Sequence, residues 1–413
     1  MLSRDGYRRA PAGADIFCVG TRDAVASANV GVVLTEQLIA ARTVVSGGQI
    51  LRPGWLRIDS GRVTEAGSGP PSGQVTADLG EQLVVPGFVD IHVHGGGGGS
   101  YTTGDPIDVR RAVAFHRSRG TTTTLASLVT APGGELLRSV AILAELVDNG
   151  LLAGIHLEGP WLSERRHGAH DVAQLRDPDQ GELRALLRTG RGTIKMITLA
   201  PERSGALDAI KIAVDHGVVI AVGHTDAGYD QTQAAISAGA RVATHMFNAM
   251  RPIHHRQPGP IPALLESPDV VVELVHDGTH LHPAIYRFVV GKVGSERVAL
   301  VTDAMAAAGM ADGTYRLGSH TVEVAAGEAK VAGTDTLAGG TATMDHLFRN
   351  AIESEPADAD QTLLAAVRQT STTPARVLGL NDRNLNVNDR ADLVVLDDSL
   401  TPTAVMIDGT WLS

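Results

Sequence analysis

The run His92-Val93-His94 places two imidazoles two residues apart in an apolar stretch. In a β-strand such residues project to the same side, so both rings would face a common ligand. Four more metal-capable side chains close other apolar, β-like runs. Glu158 ends Ala153–Glu158, His224 ends Val218–His224, His245 lies near the end of Val242–Phe247, and Asp303 ends Val298–Asp303. Each has an ordinary explanation by itself: a surface acid, a satisfied core histidine, a helix cap. Independent core residues would not fall repeatedly at strand C-termini, and the set reads as one metal centre. Imidazole and carboxylate suit borderline divalent ions such as Zn2+, Fe2+, Co2+ or Mn2+. Such an ion lowers the pKa of water and polarises a carbonyl. Asp303 is placed to take the water's proton and hand it to a leaving nitrogen. The chemistry is hydrolytic and requires no redox cofactor.

These residues converge only if the elements bearing them form one rim. The apolar runs are Leu83–His94, Thr121–Thr130, Ala153–Glu158, Thr193–Ala200, Val218–His224, Val242–Phe247, Val270–His276 and Val298–Asp303, all rich in Val, Ile, Leu and Thr. They read as buried parallel strands. The segments between them suit helices: Glu135–Val147 sets Leu136, Leu137, Val140, Ala141, Ala144 and Val147 along one stripe. Eight strand–helix units predict a (β/α)8 barrel over residues 83–379, with reactive groups at its C-terminal rim. The flanks differ. Short strand-like pieces at Ala41–Val45, Trp55–Asp59 and Arg62–Ala66 match Ala391–Leu396 and Thr403–Ile407 in style. Residues 37–82 and 380–413 are therefore expected to pair as one small β-sandwich. Residues 1–36 have weak periodicity and read as an extension.

Composition narrows the function. Of 413 residues, 35 are Lys or Arg and 46 are Asp or Glu, a formal charge of −11, which disfavours a nucleic-acid binder. Aromatics at 3% disfavour an extensive stacking platform. Cys18 is the single cysteine, so neither a disulfide framework nor a cysteine-rich zinc site is expected. No apolar run is long enough to span a bilayer, and Arg4, Asp5, Arg8 and Arg9 are not followed by a secretory-type core. A cytoplasmic enzyme without a membrane partner is the expectation.

Longer motifs are more specific. They are Pro86-Gly87-Phe88-Val89-Asp90-Ile91-His92-Val93-His94-Gly95, His156-Leu157-Glu158-Gly159-Pro160-Trp161, Gly223-His224-Thr225, Thr244-His245-Met246-Phe247-Asn248-Ala249-Met250, Asp277-Gly278-Thr279-His280, Thr302-Asp303-Ala304 and Leu337-Ala338-Gly339-Gly340. In this order the chain resembles the amidohydrolase superfamily and, within it, the N-acetylglucosamine-6-phosphate deacetylase family. The resemblance implies hydrolysis of N-acetylglucosamine-6-phosphate to glucosamine-6-phosphate and acetate, in amino-sugar catabolism or cell-wall sugar recycling. It implies that Glu158, His224 and His245 hold the main cation. Glu158 takes the place of the carbamylated lysine of other branches, with Lys195 a disfavoured rival because it lies well before its strand's end. His92 and His94 match a pair that holds a second cation in some members, so one or two ions per subunit are expected. Asp303 matches the catalytic acid/base, and His170 matches a donor to the acetamido carbonyl. Asn248 and Ala249 match residues that bind the sugar phosphate, and Arg256 and His280 match further phosphate contacts. Arg256 is expected to reach across from a neighbouring subunit, which implies a homodimer. Leu337, Ala338 and Gly339 match a loop near the sugar. His167 departs from the pattern, standing where a lysine is common, and Asn386–Asp392 lacks a glycine common before the return strand. Gly95–Gly99 reads as a loop that lets backbone approach the metal site, and His254-His255 as an ordinary loop. Two rival readings are another amidohydrolase, acting on cyclic amides or N-acyl amino acids, and a non-catalytic barrel.

Overall fold

The computed structural model describes residues 36–354 and 358–412. The expected extension lies outside them except for Glu36, which opens a strand Glu36–Ala41. At the centre an eight-stranded parallel sheet runs in chain order. Its strands are β1 (Phe88–Asp90), β2 (Thr121–Leu128), β3 (Gly154–Glu158), β4 (Ile194–Leu199), β5 (Val219–Val222), β6 (Ala240–Ala243), β7 (Val271–Leu274) and β8 (Val298–Leu300). The first and last strands meet just beyond their ladders. The Asp303 N–H donates to the His92 carbonyl at 2.9 Å, and the His94 N–H donates to the Ala304 carbonyl at 2.7 Å. The Thr302 hydroxyl donates to the Asp90 carboxylate, which completes a (β/α)8 barrel.

Alternation along the strands sorts the side chains. Ile155 and Leu157 of β3 join the layer between sheet and helices, as do Ile197 and Leu199 of β4. Inside the barrel, Val89, Leu125, Met196, Ala221, Val242, Val271 and Ala299 fill one apolar layer. Above it the interior turns polar, with Ser127, His156, Thr198, Thr244 and Glu273 all fully buried. Helices α1 (Pro106–Ser118), α2 (Gly133–Asp148), α3 (Gln180–Gly190), α4 (Ala206–Asp215), α5 (Tyr229–Ala238), α6 (Pro260–Glu266), α7 (Pro283–Val293) and α8 (Met344–Ser354) follow the strands.

Strands from the two flanks form two further sheets. One orders Arg62–Ser68, Gly54–Asp59, Glu36–Ala41 and Ala77–Asp78. The other joins Leu393–Leu396 and Pro402–Ile407 to Thr43–Ser46 and Leu83–Pro86. Ile39, Val44, Leu56, Val84, Leu393 and Met406 pack between them.

Two departures from the sequence reading have physical causes. The run Leu83–His94 is not one strand: Leu83–Pro86 pairs with Leu393–Leu396 in the flanking sheet, and only Phe88–Asp90 enters the barrel. The break falls at Gly87, whose N–H donates to the Asp392 carbonyl and where a Cβ would collide with Thr122. Three antiparallel strands, Gly313–Leu317, His320–Ala325 and Glu328–Val331, were not expected. Their outward residues are polar and their turns short, so no apolar run marks them. No helix among the described residues is long and apolar enough to cross a membrane.

Candidate active site

The loops after the strands carry every metal-capable residue to one mouth. Glu158, at the tip of β3, is the hub. Its Oε1 lies 3.1 Å from His224 Nε2 and 3.0 Å from His245 Nε2, and its Oε2 lies 3.2 Å from His94 Nε2 and 3.3 Å from His170 Nε2. Asp303 Oδ1 is 3.2 Å from His94 Nε2 and 3.5 Å from His92 Nε2. His92, His94, Glu158, His170, His224, His245 and Asp303 are all buried. Lys195 sits at the far end of β4 against Gly154, away from this cluster.

The backbone is bent to make the cluster. His224, His245 and Asp303 have φ of 45°, 23° and 48°, and Phe247 and Ala249 have φ of 78° and 50°. Left-handed conformations cost non-glycine residues free energy and persist where the surroundings over-determine them. Here the strand ends curl inward, so residues beyond the ladder face the barrel axis.

The donor set fits a divalent cation. Nε2 of His224 and Nε2 of His245 approach to 3.1 Å around the same Glu158 oxygen, two ring nitrogens that cannot satisfy each other as neutral acceptors. His92 Nε2 is buried with no hydrogen-bond partner among the described residues. Three groups place their ligand atoms within 4.8 Å of one another: His92–Glu158–His245, His92–His94–Asp303 and Glu158–His170–His224. Outer partners orient the rings. His224 Nδ1 donates to the Arg166 carbonyl at 2.9 Å and His94 Nδ1 to the Ser127 carbonyl at 3.1 Å, which leaves both Nε2 atoms as lone-pair donors.

Electrostatics assign protonation. Burial opposes ionisation of Glu158, but His92 and His170 beside it hold its carboxyl well below the ordinary range. Burial likewise works against the Asp303 carboxylate, and His92 and His94 overcome it, holding its pKa low. His170 is pushed down to about 4 by burial and then by His224, so it is neutral. The Thr130 N–H donates to His170 Nδ1 at 3.3 Å, which puts the ring proton on Nε2, facing the cluster.

A cavity of about 430 Å³ opens above the cluster. Asn248, Ala249, His280, Leu337 and Gly339 line it together with His94, Glu158, His170, His224, His245 and Asp303. Ala338 is buried beside it, its N–H donating to the Ala329 carbonyl. His280 donates from Nδ1 to Asp277 Oδ2 at 2.7 Å; burial disfavours its charge, but this bond raises its pKa overall. Arg256 lies elsewhere, exposed on a loop with its guanidinium 2.7 Å from His255 Nε2. His167 lines the cavity beside Arg165 and Arg166, and its Nδ1 has no hydrogen-bond partner among the described residues.

Several contributors were not legible in the sequence. Glu273 receives His92 Nδ1 at 3.2 Å, and His156 bridges Ser127 Oγ and Thr198 Oγ1 at 2.9 Å each. An acid inside the apolar run Val270–His276 was the available signal for Glu273. Leu317 and Thr336 come from the unexpected strands and the segment after them.

The chain matches the amidohydrolase family over residues 83–412. It is similar to the N-acetylglucosamine-6-phosphate deacetylase of Vibrio furnissii, 34% identical over 349 residues that cover 82% of this chain and 85% of that protein. It is also 35% identical over 339 residues to the N-acetylgalactosamine-6-phosphate deacetylase of Escherichia coli O157:H7, covering 80% and 88%. Among solved structures, a point mutant of N-acetyl-D-glucosamine-6-phosphate deacetylase from Mycobacterium smegmatis, in complex with N-acetyl-D-glucosamine-6-phosphate, matches with a TM-score of 0.90 at 55% identity. The match covers 91% of this chain and 99% of that one.

Proposed function

This chain belongs to the amidohydrolase family, and on that premise we propose that it is an N-acetylglucosamine-6-phosphate deacetylase, hydrolysing the acetamide to glucosamine-6-phosphate and acetate in amino-sugar catabolism. One observation carries the reading. Glu158, His224, His245 and Asp303 converge beneath a cavity whose wall bears Asn248, Ala249 and His280.

Glu158, His224 and His245 would hold a divalent cation, with His92 and His94 available for a second. Bound there, a cation of this kind polarises an amide carbonyl and makes water more acidic. His170, neutral with its proton on Nε2, donates to the acetamido oxygen as negative charge develops on it. Asp303, kept ionised by the positive charge of this centre, accepts the proton of the attacking water and returns it to the departing amine. Asn248, the backbone at Ala249, and His280 bind the phosphate, and Leu337, Ala338 and Gly339 border the sugar. Arg256, exposed outside its own cavity, serves the phosphate of a neighbouring subunit in a homodimer. Residues 83–379 form the catalytic unit of this cytoplasmic enzyme, and 37–82 with 380–413 its β-rich companion.

The 4-epimer, N-acetylgalactosamine-6-phosphate, is a second reading, favoured by the similarity to the Escherichia coli protein. Acetate release by the purified, metal-loaded protein tests both. Faster turnover of the gluco substrate, with a large loss when the phosphate is absent, is expected. No acetate from the gluco substrate would overturn the proposal.

A further inference from the structure

We propose that Val129 and Leu317 set acyl-chain specificity: together they wall off the cavity beside His170, so that an acetyl group fits and a longer chain does not. The inference rests on the deacetylase reading above, which supplies an acyl group to be selected, and goes beyond it by naming what limits its length. The position of the wall follows from where the acyl group must lie. With His170 donating from Nε2 to the acyl oxygen, the acyl carbon sits one bond from that oxygen. Its nitrogen leads toward the sugar at Leu337 and Gly339 and the phosphate at Asn248, Ala249 and His280, so its carbon chain must point away from them. Beyond Ala249 and Leu337, the aliphatic side chains on the cavity wall are Val129, Ala169 and Leu317. Two of these flank the anchor. Ala169 precedes His170 in the chain, and Val129 precedes Thr130, whose backbone nitrogen and Oγ1 lie 3.3 and 2.9 Å from His170 Nδ1.

Leu317 reaches the same place from the three-stranded sheet. It ends the strand Gly313–Leu317 opposite His320, which leaves Gly318 and Ser319 as a tight turn. That tip is wedged between the end of β2 and the segment bearing His170. On one side, a Cβ at Gly318 would come within 2.8 Å of Val129 Cγ2. On the other, the Ser319 hydroxyl donates to Asp171 Oδ2 at 3.3 Å. Val129 and Leu317 are buried in one apolar cluster with Met305, Ala307 and Ala338. Side chains packed to this degree do not swing aside without cost.

Behind this wall lies a second cavity, of about 530 Å³, between the turn at Gly318, the start of α2 and the segment after His170. Leu128, Leu136 and Ile142 give it apolar lining. Among the described residues Val129 alone lines both cavities. The limit on acyl length is therefore one side chain thick. Val129→Ala removes two methyl groups from it and joins the two spaces, giving a longer chain an apolar place to go.

The test is the acyl profile of the metal-loaded, full-length protein. It is read as kcat/KM for glucosamine-6-phosphate carrying N-formyl, N-acetyl, N-propanoyl or N-butanoyl groups. A methylene that a closed pocket cannot take costs about 10-fold or more. Wild type is thus expected to lose about 10-fold or more from acetyl to propanoyl and about 100-fold or more to butanoyl. Val129→Ala and Leu317→Ala should each raise the butanoyl-to-acetyl ratio by about 10-fold or more. Val129→Ile, which keeps the cluster filled, should narrow the pocket and lower acetyl relative to formyl by about 10-fold. A merely structural role would slow every substrate alike and leave these ratios unmoved, which would overturn the inference. So would a wild-type chain that takes butanoyl as fast as acetyl. If the alanine variants do not fold, Val129→Ile decides: an unchanged acetyl-to-formyl ratio overturns the inference, and a fall supports it. Failure of the deacetylase reading looks different. A wild-type chain that releases no acid from any of the four overturns that reading and this inference with it, whereas acetate release with unmoved ratios overturns this inference alone.

Discussion

On the proposed mechanism Asp303 must be ionised to take a proton from water, yet it is buried where ionisation is penalised. The two demands are reconciled by positive charge beside it: protonated His92 and His94 rings hold its pKa low, and a cation bound to those rings would do the same. Asp303→Asn keeps the shape and most of the polar contacts but cannot accept a proton. The expected outcome is a fall in kcat of about 10²–10⁴, with the cation at Glu158, His224 and His245 retained by elemental analysis and little change in KM. At this scale the sequence was informative wherever a residue type was out of place. A histidine or acid closing an apolar run is visible as such, and His92, His94, Glu158, His224, His245 and Asp303 meet in the structure. The residues that orient them were not visible. His156 lies within a strand, inside the same run that Glu158 closes, and its neutrality follows from burial and then from His92 beside it, neither of which a sequence displays. Nor did Thr130 stand out, although its N–H fixes the tautomer of His170.

Elements place these residues, and one helix does so through the glycine run. His116, in the last turn of α1, is fully buried and bonds from Nε2 to the Gly95 carbonyl at 2.9 Å. Gly95 in turn donates to Ala304, next to Asp303. A side chain at Gly96 would strike the His116 ring, so the glycines allow the helix to close on the backbone that follows His94. Burial pushes the His116 pKa down to about 4, against the opposing effect of the Gly95 bond. The native state therefore refuses a proton that the unfolded chain accepts below its ordinary value of about 6.5. Stability from this group is full above that pH, is lost as pH falls toward 4, and changes no further below it. The loss amounts to about 3 kcal/mol. His116→Gln keeps an N–H for the Gly95 carbonyl and removes the titration. Urea melts at pH 7 and pH 4.5 should show a smaller acid loss for the variant than for wild type; equal losses would refute the assignment. The barrel was legible at this scale because eight buried strands need Val, Ile, Leu and Thr. The strands from Gly313 to Val331 were not, because their exposed faces alternate with few buried residues such as Leu317, Val322 and Val324.

For the molecule as a whole, three buried carboxylates, Glu158, Glu273 and Asp303, whose ion-pair partners among the described residues are all histidines, predict a strong dependence of stability on metal. A cation at about 1,000 times its Kd contributes about 4 kcal/mol to the folded state. Chelation should lower Tm by roughly 5 °C for each cation lost in a protein of this size, and scanning calorimetry before and after metal restoration checks it. Subunit association is a property that a single sequence carries only by resemblance, and Arg256 is where it can be tested. Its guanidinium rests on His255, outside the cavity that holds Asn248, Ala249 and His280. An arginine that grips phosphate through paired hydrogen bonds should be worth 10-fold or more in KM, so Arg256→Ala should raise KM for the phosphorylated substrate and leave kcat largely intact. Asp303→Asn should be nearly inactive. If Arg256 completes the partner's site, co-expressing the two variants yields hybrid dimers with one wild-type site. That site combines Asp303 from the Arg256→Ala subunit with Arg256 from the Asp303→Asn subunit, and activity with a wild-type KM reappears in the mixture. If Arg256 acts within its own subunit, every functional Asp303 in the mixture lacks it, and only the weak-binding kinetics of Arg256→Ala are seen. The measured KM of the mixture therefore decides whether this cavity is complete in one chain or in two.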